Sequence, residues 1–284
     1  MKRRFPCECG SGKYYDSCCS PPTEVWFRPM EGPEEYEEML NKLIVSRKFN
    51  MRFRGLRQFY GDELIAYKLK NPSSSSRNIF LEIIAEYFTT YLEDKCPSSW
   101  NECDHEFWEE FFYSFYPSTI KISPKQNEVK RFLNECKKFV HWLDKHIGTS
   151  FYSYIEELCA EAASELLECE KLINKLYLHT FPNIHKRDFD IIAELDAHEQ
   201  NYNFVDDKVA IFEVQDKNGP ITIARAHDDK SNYHILGLPI EIITPGMIIC
   251  GFIGKEESSW LWTWDHPICV FPRKAKKFLE HVLI

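Results

Sequence analysis

The chain has 284 residues, 44% of them hydrophobic and 15% aromatic, which excludes a mostly disordered polypeptide. Forty-four acidic against 35 basic side chains leave a formal charge of −9, a balance that opposes wholesale coating of nucleic acid but leaves room for a local basic patch. No run of about 18 uncharged apolar residues occurs, and the basic start MKRRFPCECG has no apolar stretch behind it, so a soluble cytoplasmic chain without membrane span or secretory signal is expected.

The first element is a cysteine cluster. Of eleven cysteines, Cys7, Cys9, Cys18 and Cys19 fall within thirteen residues, while Cys96, Cys103, Cys136, Cys159, Cys169, Cys250 and Cys269 are scattered. An odd total without an export signal argues against a disulfide framework. The scattered seven read as small buried hydrophobes. The clustered four have the spacing C-x-C-x8-C-C, two pairs of soft ligands that suit tetrahedral Zn²⁺, with iron as an alternative. Gly10 and Gly12 let the backbone reverse after the first pair. So short a segment cannot bury a core, so metal binding would supply its folding energy. All four positions would be filled by protein ligands, the pattern of a structural and not a catalytic metal.

The stretch Cys7-Glu8-Cys9-Gly10-Ser11-Gly12-Lys13-Tyr14-Tyr15-Asp16-Ser17-Cys18-Cys19 resembles the SEC-C motif, the small metal-binding tail of the SecA translocation ATPase that also occurs at the ends of many bacterial proteins. It matches the family pattern C-x-C-G-S-G-x-x-[YF]-x-x-C-[CH] at every defined position, with cysteine in the last place where histidine is commoner. The resemblance covers about residues 5–20. It implies that Cys7, Cys9, Cys18 and Cys19 are the zinc ligands, and that the module docks a protein partner such as the SecB chaperone or a ribosome-associated factor.

Pro21 and Pro22 close this module, and a linker runs to Pro33. From Glu34 to Val45, Tyr36, Met39, Leu40, Leu43 and Ile44 recur at helical spacing. The segment 47–60 then carries Arg47, Lys48, Arg52, Arg54 and Arg57 with no acid, interleaved with Phe49, Phe53, Phe59 and Tyr60. Cations for phosphates beside aromatics for bases are the ingredients of single-strand nucleic-acid binding. The competing reading is a helix with Phe49, Phe53, Leu56 and Tyr60 turned inward and its cations solvated. The net charge of −9 favours the second.

Asn71-Pro72 and four serines read as a loop, and Ile79–Leu92 as a helix. Pro97 and its neighbouring serines break that pattern, and the aromatic-crowded stretch Phe107–Tyr116 is expected to bury on more than one side. Ser123 is placed to cap a helix beginning at Pro124 and running to about His146, with Val129, Phe132, Leu133, Cys136, Phe139, Val140 and Leu143 as its stripe and Gly148 as its stop. A further helical stretch, broken at most once, runs from Ser150 to about Leu178. The segment 179–202 contains His185, Asp188, Asp190, Asp196, His198 and Glu199 without a partner motif, and reads as a polar connector.

Beyond it the residues alternate and branch at the β-carbon. Val209–Val214, Ile221–Ala226, Tyr233–Leu236, Met247–Gly254 and Trp260–Trp264 are expected strands, with a hairpin at Asn218-Gly219 and a break at Pro245-Gly246. Alternation puts Trp260, Trp262 and Trp264 on one face, either as a stacking platform for bases, sugars or a peptide or as a core layer beneath a closing helix over Lys274–Leu283.

The expected fold class is therefore α+β: a zinc knuckle over 1–22, a helical domain over 34–178, a connector over 179–202, and a β-rich domain over 203–284. The last is a small β-barrel or rolled sheet with a C-terminal helix. There is no Walker loop, dinucleotide fingerprint or G-x-S-x-G, so an enzyme is not supported. The expected function is that of a zinc-binding adaptor, with nucleic-acid binding through segment 47–60 as the alternative.

Overall fold

The computed structural model describes residues 32–51, 59–200 and 204–279. The chain divides into two compact units, residues 1–42 and 43–284. Helix α1, Pro33–Ser46, covers the expected Glu34–Val45, yet its residues Tyr36, Leu40 and Ile44 are solvent-exposed. Residues 43–178 of the expected helical part and the whole expected β-rich part lie within the larger unit.

After α1 comes a single 3₁₀ turn, Arg47–Phe49, ended by Asn50 in the left-handed region (φ 55°). Helix α2 is Gly61–Leu69. Helix α3, Ser75–Glu86, starts where Ser74 accepts a hydrogen bond from the Arg77 amide (3.2 Å) and passes into a π-helical stretch, Tyr87–Leu92. The serine run is thus loop only up to its cap. Helix α4, His105–Glu110, is capped by Asp104 and passes into a second π-helical stretch, Phe111–Phe115. The wider π turns bring successive side chains inward. Phe107, Trp108, Phe111, Phe112, Tyr113, Phe115 and Tyr116 are all buried, and Tyr87 sits among Phe107, Phe111 and Phe115 at ring separations of 5.3, 4.9 and 5.1 Å.

Helix α5 is Glu128–His146, with every residue of its expected stripe buried. Its start corrects the sequence expectation by four residues. Ser123 and Pro124 do not open the helix, because the Gln126 amide turns back to the Ser123 carbonyl and Gln126 is left-handed (φ 45°). The helix is capped instead from helix α6, Tyr152–Thr180, where Glu170 accepts from the Glu128 amide (2.7 Å), while the Asn174 Oδ1 holds the preceding turn by accepting from the Ser123 amide (3.0 Å). Helix α6 is unbroken over 29 residues. Asp144 holds its entry by accepting from the Thr149 hydroxyl and the Phe151 and Tyr152 amides. No helix among the described residues is long and apolar enough to cross a membrane.

The connector is less irregular than expected, since helix α7 occupies Ile191–Gln200, with Asp190 accepting from the Ile192 and Ala193 amides. Five strands follow: β1 Asp206–Asn218, β2 Ile221–Ala226, β3 Asn232–Leu236, β4 Ile248–Lys255 and β5 Trp262–Phe271. They pair in the closed order β1-β2-β3-β5-β4, with β3–β5 parallel and β4 returning antiparallel to β1. Phe212 lies opposite Ala226 and Ile249, so these three side chains share the inner face. Helix α6 packs outside β5, where the Thr180 hydroxyl donates to the Asp265 carbonyl (3.2 Å). Of the expected closing helix, the described part is a 3₁₀ turn, Arg273–Ala275, and helix α8, Lys276–Leu279.

Candidate functional site

Cys7, Cys9, Cys18 and Cys19 lie outside the described residues. Their donor set, four thiolates, fits zinc by its chemistry. Among the described residues no group of three or more metal-ligating side chains comes together. The seven scattered cysteines are free thiols, six buried and Cys96 half-buried. Burial pushes the Cys96 thiol up to about 11 and that of Cys103 up to about 12, the behaviour of inert core residues.

Segment 47–60 separates into two kinds of residue. Arg52, Arg54 and Arg57 lie outside the described residues, as do Phe53 and Leu56. Arg47 and Lys48 are exposed, while Phe49 (1%) and Phe59 (9%) are in the core. Tyr60 packs its ring against Trp100 and Phe88 at 4.4 and 5.1 Å and donates its hydroxyl to the Pro97 carbonyl. The described aromatics therefore serve packing, and none is free to stack on a base. A single helix over 47–60 does not form either, because Asn50 ends the turn after one step.

Trp260, Trp262 and Trp264 do not share one face of a strand. Ser258 is left-handed (φ 64°), and Ser259 Oγ accepts from the Leu261 amide (3.1 Å), so a turn occupies the residues expected to begin the strand. Trp260 precedes β5, is 65% exposed and meets the edge of His234 at 5.3 Å. Trp262 is half-buried and packs edge-on against Tyr233 at 5.3 Å. Trp264 is 5% exposed, lies opposite Ile253, and reaches Gly251, where a Cβ would come within 2.6 Å of its indole. The core reading holds for Trp264, while Trp260 faces solvent and Trp262 lies between the two.

Around Tyr233 the fold assembles a polar cluster that no sequence motif announces. Lys208 Nζ donates to Asp228 (2.6 Å) and Asp229 (3.1 Å), and the Tyr233 hydroxyl donates to Asp229 (2.7 Å). Burial pulls the Lys208 pKa down, but bonding to the two carboxylates outweighs it and leaves the group above the usual lysine range. The Tyr233 hydroxyl, then the Ser231 amide and Lys208, opposed by some burial, bring the Asp229 carboxyl down to about 2. The acids are adjacent in sequence, but their partners arrive from β1 and β3.

A second surface cluster lies at the C-terminal segment. Arg273, Lys274, Lys276 and Lys277 line an open cleft with Glu109 and Tyr113, and each cation reaches a carboxylate on another element: Glu165, Glu161, Glu213 and Glu109 in turn. The positive charge is compensated, so the cleft is a zipper of surface ion pairs and not an anion site. In the connector, Asp188, Asp190 and Glu194 line a shallow open cleft with Lys186, and Asp190 is occupied as the α7 cap.

No protein-family profile, curated protein or solved structure matches the chain. The likeness of residues 5–20 to the SEC-C motif rests on the motif residues themselves.

Proposed function

We propose that the chain is a zinc-carrying adaptor of the bacterial cytoplasm, whose N-terminal knuckle docks a protein partner of the kind the SEC-C resemblance implies, a SecB-like chaperone or a ribosome-associated factor. The observation that carries this reading is the spacing of Cys7, Cys9, Cys18 and Cys19 with Gly10, Ser11, Gly12 and Tyr15 between them. The four thiolates leave no open position for substrate, so the metal would shape a docking surface and not take part in chemistry. The test is elemental analysis of the full chain and of a Cys7→Ser/Cys9→Ser variant, paired with capture of partners with and without residues 1–22. One zinc per chain, lost in the variant together with partner capture, is expected. Undiminished zinc in the variant refutes the ligand assignment, and iron in place of zinc would be seen as visible thiolate-to-metal absorbance.

A second reading, nucleic-acid binding, is favoured by one observation: Arg47 and Lys48 are exposed, in a segment, 47–60, whose sequence carries five cations and no acid.

A further inference from the structure

Lys68 is 1% exposed, yet among the described residues no carboxylate pairs with it. Its ammonium is held by two backbone carbonyls, Ser74 O at 3.1 Å and Asn71 O at 3.5 Å. Arg77 stands beside it, with Nη1 donating to the Tyr67 carbonyl (2.7 Å) and the guanidinium 3.9 Å over the Tyr67 ring. The third cation, Lys48, is exposed on the 3₁₀ turn that packs against α3. Glu135, whose charge is felt at Tyr67, is engaged by Lys138 at 2.8 Å. Burial first, and then the positive charges of Lys48 and Arg77, lower the Lys68 pKa. Each of these cations raises the cost of the others, and a buried charge is ordinarily paired. The first amides of α3 add partial positive charge at the same place.

We propose that Lys48 and Arg77, over the buried Lys68, form a binding patch for the phosphate backbone of single-stranded nucleic acid. An anion laid across the patch relieves repulsion that the folded chain otherwise carries. Lys48 and Arg77 are placed to touch phosphate, whereas Lys68, being buried, acts through its field. Exposed Arg47 and Lys70 flank them in the chain, so the charge spreads along a surface in the manner of a track and not a pocket. With Phe49 and Phe59 committed to the core, binding is to backbone and not to base. This inference stands apart from the zinc reading, because all its residues lie beyond the cysteine module.

The test is titration of the full-length chain with a fluorescent 20-nucleotide oligothymidylate over a range of salt. Two to four phosphate contacts on a single strand predict a log–log slope between about −1.4 and −2.8. An oligoadenylate should bind with the same affinity. Lys48→Glu, an exposed change that spares the fold, should weaken binding and reduce the slope by about 0.7–1. Lys68→Met separates function from structure: it removes an uncompensated buried charge, so it should raise the melting temperature while lowering affinity. The Cys7→Ser/Cys9→Ser variant should bind like the parent. Absence of binding at about 50 mM salt overturns the proposal, as does binding unchanged in Lys48→Glu. Preferential binding of inorganic phosphate, or of polyglutamate in place of the oligonucleotide, overturns it as well.

Discussion

Truncation of Trp264 is the sharpest test of how the β-rich part is held together. Its indole is 5% exposed, lies within the ring of strands, and faces Phe212 edge-on at 6.5 Å between ring centres. A tryptophan buries about 150–250 Å², which at about 25 cal/mol/Å² corresponds to roughly 4–6 kcal/mol. Deletions of buried aromatics cost about 3–5 kcal/mol, against a total of about 5–15 kcal/mol for a native protein. In a chain of this size that loss lowers the midpoint of thermal unfolding by about 6–20 °C. Trp260, at 65% exposure, should give a change within about 0.5 kcal/mol on the same substitution. The half-buried Trp262 should fall between the two. Circular-dichroism melts of the three alanine variants of the full chain measure the series. Equal losses for Trp260→Ala and Trp264→Ala, or a Trp264→Ala midpoint within about 1 °C of the parent, would refute the assignment of these indoles to solvent and core.

Two further outcomes follow from long-range hydrogen bonds. Asn174→Ala removes the acceptor for the Ser123 amide and should cost about 1–3 kcal/mol, read as a lower midpoint of denaturant unfolding; a neutral effect would mean that the turn before α5 holds itself. Asp229 has its folded-state pKa depressed to about 2, so its stabilisation is present above the ordinary carboxylate pKa of about 3.9 and is lost as pH falls toward the folded value. Its side chain is 38% exposed, so the contribution is below about 1 kcal/mol. Stability curves of the parent and Asp229→Asn should converge at about pH 2, and a gap that widens with acid would contradict the sign.

Much of the architecture is legible in the sequence wherever one periodicity decides burial. The α5 stripe from Val129 to Leu143 is buried as read because its apolar residues recur at the helical period, and any packed neighbour then takes the same face. Strand β2 falls on Ile221–Ala226, since its alternation is bounded by the turn at Gly219 (φ 59°). The four cysteines of the proposed knuckle stand out in the sequence because they fall within thirteen residues. The start of α5 was decided by Glu170, which reaches its first turn, and Asn174, which holds the turn before it, and both arrive only when α6 docks. The three tryptophans differ in burial because a turn at Ser258 and Ser259 precedes β5 and interrupts an alternation that continues in the letters. The patch of Lys48, Lys68 and Arg77 draws its members from three segments, none of which holds more than part of its charge. Sequence by itself determined the elements whose physics is local: periodicity and turn chemistry. Tertiary structure alone decided which charges lie together and which aromatic faces water, because electrostatic energy and burial depend on distance in space and not along the chain.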